Sequence, residues 1–151
     1  MTNLDRMHSL LNQLEIKLKS NSSSPTTQEH QRGDNLKKLE ILYIKLELSK
    51  KVTEFQNIFH YKAMKLAGIG LKNEDFGEIR EGKYIQIIAI EYIKNDSGKS
   101  VAKNISLGYY GKAEKLLEEK KHNIIEFILR WRYEKTFQHT EHYQQLLSKL
   151  H

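Results

Sequence analysis

Apolar residues recur at spacings of three and four through the first segment, at Leu4, Met7, Leu11, Leu14 and Leu18, with Leu10 widening the stripe. That period predicts an amphipathic helix within residues 1–20. The pattern then stops, and between Ser20 and Leu36 the only non-polar side chain is Pro25. Residues 21–33 are expected to be a flexible linker, because nothing there buries enough surface to offset the entropy of ordering it. A helix over 34–67 should follow, with Asp34 as its N-cap and Gly68 and Gly70 as its stop. Its stripe runs through Leu36, Leu39, Tyr43 and Leu46, then changes register to Leu48, Val52, Phe55, Phe59 and Leu66. Alternation at Leu42, Ile44, Leu46 and Leu48 leaves a strand open there, although the Leu, Lys and Glu content favours helix.

Lys83–Ile93 is rich in β-branched and aromatic residues and is the clearest strand in the chain. Asn95-Asp96-Ser97-Gly98 supplies turn chemistry, and Val101, Ile105, Leu107 and Tyr109 are expected on one face of a second strand. A hairpin over 83–110 results, with Phe76–Arg80 expected as a third strand of a sheet over 76–110. Beyond Gly111 the helical period returns at Ala113, Leu117, Ile124, Ile128 and Trp131. A kink is expected near Gln138–Thr140, then a last short helix carrying Tyr143, Leu146, Leu147 and Leu150, so helices cover 112–150. The fold class is α+β: N-terminal helices, a small antiparallel β-sheet and long C-terminal helices, with 34–151 forming one domain.

Composition narrows the chemistry. The 151 residues include no Cys, which excludes disulfides, thiolate zinc sites, iron–sulfur clusters and Cys nucleophiles. That fits an intracellular, reducing compartment, cytoplasmic or nuclear. No apolar run reaches the roughly 18 residues of a membrane span, and the first residues lack the pattern of a signal peptide. The formal net charge is +6. Residues 99–135 hold nine basic against five acidic side chains, whereas 68–98 hold four against six. The basic excess permits a polyanionic partner and places its footprint after Lys99, unless it is a solvated helix face.

Local motifs for catalysis fall short. Gly98-Lys99-Ser100 resembles the end of a phosphate-binding loop, but Ile93 stands where the first Gly belongs and the segment joins two strands. His139 and His142, or Glu119 with His122, lack the further ligands a metal needs. Asp75, Glu91 and Lys94 invite comparison with metal-dependent nucleases of the restriction-endonuclease type. Glu91-Tyr92-Ile93-Lys94 is one residue longer than the Glu-x-Lys of that family, so the two side chains should face opposite sides of a strand. No Gly-x-Ser-x-Gly elbow occurs. The expectation is no catalytic residue, no metal and no cofactor.

The hairpin runs straight into the next helix through Leu107-Gly108-Tyr109-Tyr110, with Glu114 shortly after. This resembles the three-stranded-sheet-plus-helix DNA-binding domain of ethylene-response factors, phage homing proteins and integrase arm-binding domains, over residues 76–120. In that family such a Leu-Gly-aromatic-aromatic cluster closes a strand before a helix with an early Glu. The resemblance implies a sheet lying in the DNA major groove. It also implies basic residues on the early strands, where this chain has Arg80 and Lys83. The order of elements also fits a double-stranded-RNA-binding domain, without that domain's paired Lys at the helix start.

Arg130-Trp131-Arg132-Tyr133, with Lys135 beyond, is the densest basic and aromatic cluster. Trp131 falls on the apolar stripe and is expected in the core. The candidate phosphate-binding set is therefore Lys103, Lys112, Lys115, Lys120, Lys121, Arg130, Arg132 and Lys135. The expected function is non-enzymatic nucleic-acid binding, to DNA or RNA, within an intracellular complex. The alternatives are a protein–protein adaptor or homo-oligomer built on residues 4–18 and 34–66 and, behind it, a metal-dependent nuclease.

Overall fold

Two helices precede the sheet. The computed structural model describes residues 2–20 and 27–151. Helix α1 is Asn3–Ser20. It opens on a capping box: the Asp5 amide donates to Thr2 Oγ1 at 3.1 Å and the Thr2 amide to Asp5 Oδ2 at 3.3 Å. The chain divides into two compact units, Met1–Asp34 and Asn35–His151.

Helix α2 is Thr27–Lys45, which corrects two expectations. Residues 27–33 are helical, so the expected linker over 21–33 keeps only 21–26, which lie outside the described residues. Asp34 sits inside the helix and does not cap it. The expected helix over 34–67 also ends early, at the point where its apolar stripe changes register. Glu47 takes a left-handed backbone conformation with φ of 60°. The chain then passes through short 3-10 turns at Leu48–Lys50 and Phe55–His60. Two tyrosines hold this segment from outside the turns. Tyr43 donates its hydroxyl to the Val52 carbonyl, and Tyr110 donates to the Leu46 carbonyl at 2.9 Å.

The sheet has strands β1 Ala63–Ala67, β2 Tyr84–Lys94 and β3 Ser100–Lys112, antiparallel in that order. The first strand is thus Ala63–Ala67, within the expected helix, and not Phe76–Arg80. Residues 76–80 keep a single bridge, Ile69 to Ile79, because Gly77 turns with φ of 79° and Asp75 closes a tight turn onto the Lys72 amide. Glycine is required at 70, where a Cβ would meet both the side chain and the carbonyl of Asp75. Gly98-Lys99-Ser100 belongs to the hairpin turn, where Asn95 Oδ1 accepts from the Ser97 and Lys99 amides at 3.1 and 3.0 Å.

After a 3-10 turn at Ala113–Lys115, helix α3 runs from Glu118 to Ser148. Glu114 therefore precedes α3, and its carboxylate accepts from the Gly82 amide. Leu117, expected on the apolar stripe, is the residue before α3 and 76% exposed. The expected break at Gln138–Thr140 does not divide the helix: α3 is continuous through it, so no separate last short helix follows. The core lies between α2, α3 and one face of the sheet. Leu39, Leu42, Leu48, Ile58, Met64, Ile85, Ile87, Ala89, Ile124, Phe127, Ile128 and Trp131 fill it. The fold is α+β.

Candidate nucleic-acid interface

Strand geometry sorts the side chains of the sheet into two sets. Ile85, Ile87 and Ala89 are buried, so the odd positions of β2 face the core and the even ones face outward. Residues opposite one another in a ladder share a face. The outward set is then fixed by register: Tyr84 beside Lys112, Gln86 between Ala67 and Tyr109, and Ile88 between Lys65 and Ser106. Ile90 lies between Ala63 and Asn104, Tyr92 beside Ala102, and Lys94 beside Ser100.

Two properties of this face bear on ligands. Its charged residues are Lys65, Lys94 and Lys112, and no Asp or Glu shares it. It also carries three exposed tyrosines. Tyr84 is 47% exposed and Tyr109 60%, with ring centroids 5.8 Å apart, and Tyr92 stands farther along β2 at 55%. Gln86, Asn104 and Ser106 add hydrogen-bonding groups between them.

The cluster Leu107-Gly108-Tyr109-Tyr110 divides between the two faces. Leu107 is buried, Tyr109 points out, and Tyr110 packs toward the core beneath Lys120, whose ammonium lies 5.8 Å from the ring centroid. A Cβ at Gly108 would strike the Tyr110 phenol. Burial, and then the charge of Glu47, pushes the Tyr110 phenol well above its usual pKa.

The basic residues singled out by sequence scatter across the molecule. Lys112 is on the outward face. Lys103 projects from the core side of the hairpin arm, opposite Glu91 in the ladder. Lys115 and Lys120 share a small cleft with Tyr110, Leu116 and Leu117. Lys121 is ion-paired with Glu118 at 3.2 Å. Arg130 is half-buried and occupied within the fold. It donates to Glu126 Oε2 at 2.7 Å and to Asn35 Oδ1 at 3.0 Å, and Asn35 Nδ2 donates to the Arg130 carbonyl at 3.0 Å. The hydrogen bond from Arg130 holds the Glu126 carboxyl below its usual pKa.

Arg132 and Lys135 flank Trp131 on the side of α3 that meets β1. All three donate to backbone carbonyls: Trp131 Nε1 to Ile58 at 2.8 Å, Arg132 to Met64 at 3.1 Å and Lys135 to Phe59 at 3.0 Å. Trp131 is in the core as its position on the stripe implied. Burial, and then the nearby Lys62, lowers the Lys135 pKa.

Sequence reasoning missed Lys65, Lys94, Tyr84, Tyr92 and Tyr109. The alternation in β2 held the signal for Tyr84 and Tyr92, but both of its registers are largely apolar, so pattern alone did not say which set faced out. Tyr109, expected on the same face as Leu107, is turned outward by a register shift in the β2–β3 ladder while Leu107 stays buried. Lys65 was hidden by the reading of its segment as helix. Glu91 and Lys94 lie on opposite faces of β2, while Asp75 pairs with Arg80 at 3.4 Å in the loop before it. Among the described residues no group of three or more His, Asp or Glu is placed to hold a metal, and no helix is long and apolar enough to cross a membrane. Compared with family models, curated proteins and solved structures, the chain finds no match.

Proposed function

We propose that the protein binds nucleic acid without catalysing a reaction, laying a single strand of DNA or RNA along the outward face of its sheet. One observation carries the reading: that face bears exposed tyrosines, and its only charges are lysines. Stacking on an aromatic ring is available to any unpaired base and is worth about 1–3 kcal/mol per base. Lysines at the margins supply phosphate contacts and long-range attraction. The test is fluorescence anisotropy with labelled single-stranded DNA, single-stranded RNA and duplex DNA across a salt series. Single strands should bind more tightly than duplex, and Tyr84→Ala with Tyr109→Ala should weaken that binding while circular dichroism stays unchanged. Failure of the wild-type chain to bind any of the three would refute the reading.

A protein–protein adaptor is the second reading, and the last turns of α3 favour it. Tyr143, Leu146, Leu147 and Leu150 form an apolar stripe open to solvent. Leu4, Met7 and Leu10 of α1 are likewise exposed, whereas most of the apolar residues expected to serve a partner within 34–66 are buried in the core. Sedimentation velocity of wild type against Leu146→Ser with Leu150→Ser tests whether that stripe drives self-association.

A further inference from the structure

Edge strand β1 and helix α3 enclose a groove of about 320 Å³. Lys62, Lys65, Arg132, Lys135 and His139 line it, with buried Met64 and Trp131 as its apolar floor. No Asp or Glu is part of the lining.

The two helix cations are oriented without being neutralised. Arg132 and Lys135 each donate to a backbone carbonyl, which fixes direction but carries no net charge. Most N–H donors of both groups remain for a ligand. This separates them from Lys121 and Arg130, whose charges are matched by Glu118 and Glu126. Lys62 immediately precedes β1 and Lys65 lies within it, and both are exposed. Like charge is close enough that Lys62 acts on the ionisation of Lys135 more strongly than Glu134 does. Glu91 is a further carboxylate, which the antiparallel register places across from Lys62. Clustered cations repel one another, and an anion seated among them relieves that repulsion.

We propose that this groove is a phosphate site in which Lys62, Lys65, Arg132 and Lys135 grip one phosphate group. Two sources carry that chemistry: a free phosphate or pyrophosphate, and a backbone phosphate of a strand lying on the sheet. Lys65 belongs to both the groove and the outward face, so the two surfaces are continuous. Only the second source rests on the nucleic-acid reading; the site itself does not.

Trp131 is the chain's single tryptophan and lines the groove, so its fluorescence reports occupancy. The experiment titrates pyrophosphate into the full-length chain at ionic strength held constant with chloride. A saturable change is expected, with affinity at least tenfold weaker in Lys62→Gln with Lys65→Gln. Both side chains are exposed and hold no structural hydrogen bond, so the variant should fold, as circular dichroism will check. An oligonucleotide that displaces pyrophosphate assigns the groove to a strand phosphate. One that binds without displacing it assigns the groove to a free phosphate. A response that never saturates, or equal affinity in the folded double variant, overturns the proposal. Failure of the nucleic-acid reading looks different: no oligonucleotide binds, while pyrophosphate still saturates.

Discussion

Arg130 shows how a residue chosen for its charge can serve the fold instead. Its guanidinium joins α3 to buried Asn35 of α2, and the pair exchange two hydrogen bonds. Asn35→Ala should cost about 1–3 kcal/mol, because it strips a buried partner from a charged donor. A double-mutant cycle with Arg130→Gln, read by urea unfolding, should give a coupling of about 1–2 kcal/mol. Arg130→Gln should leave the salt dependence of oligonucleotide binding unchanged, since Glu126 already matches its charge. Lys112→Gln should behave in the opposite way, keeping stability and lowering the salt slope by about 0.7–0.9. Anisotropy at several salt concentrations on both variants separates the two roles. Gly70 makes a backbone case of the same kind. Its substitution by Ala forces the Asp75 turn to move and should destabilise by about 1–3 kcal/mol in the same unfolding assay.

Among the elements, β1 and α3 depart most from what their sequences suggest. Ala63-Met64-Lys65-Leu66-Ala67 has good helix formers and reads as the tail of α2. Pairing with β2 overrides that preference, because it puts Met64 and Leu66 on the core side and supplies a ladder for the backbone. Arg132, bonded to the Met64 carbonyl, then ties this edge strand to α3. Helix α3 keeps its core contacts only as far as Phe137, and every residue from His139 to Leu150 is exposed. Ending the chain after His139 should therefore change unfolding free energy by less than about 1 kcal/mol. Retained phosphate and oligonucleotide binding in that truncated chain, measured as above, would place both sites on the sheet and the first two-thirds of α3. Lost self-association would place the adaptor function on the removed turns.

For the molecule as a whole, stability should fall on the alkaline side. The phenols of Tyr43, Tyr61 and Tyr110 are all raised above 10.0, in each case by burial first. Their stabilisation is complete below the unfolded value, and it is lost as pH rises past 10.0, where the unfolded chain releases these protons more readily. Lys135 has the opposite sign: its lowered pKa disfavours the folded state below 10.5 and ceases to do so as pH climbs toward that value. Urea midpoints measured from neutral pH upward should hold or rise slightly and then drop above 10, with tyrosinate absorbance appearing on unfolding. The chain alone determined what depends on neighbours in sequence. The β2–β3 hairpin, its Asn95–Gly98 turn, the α+β class and the burial of Trp131 all follow from local periodicity and turn chemistry. Tertiary structure decided the rest. Where α2 ends, that Ala63–Ala67 is a strand, and which face of the sheet is open depend on distant partners competing for the same backbone groups and apolar surface. The site was the least legible part, because charge along a chain says nothing of what each cation meets. Only packing sets Arg130 against Glu126, turns Tyr84 and Tyr109 outward together, and gathers Lys62 and Lys65 beside Arg132 and Lys135.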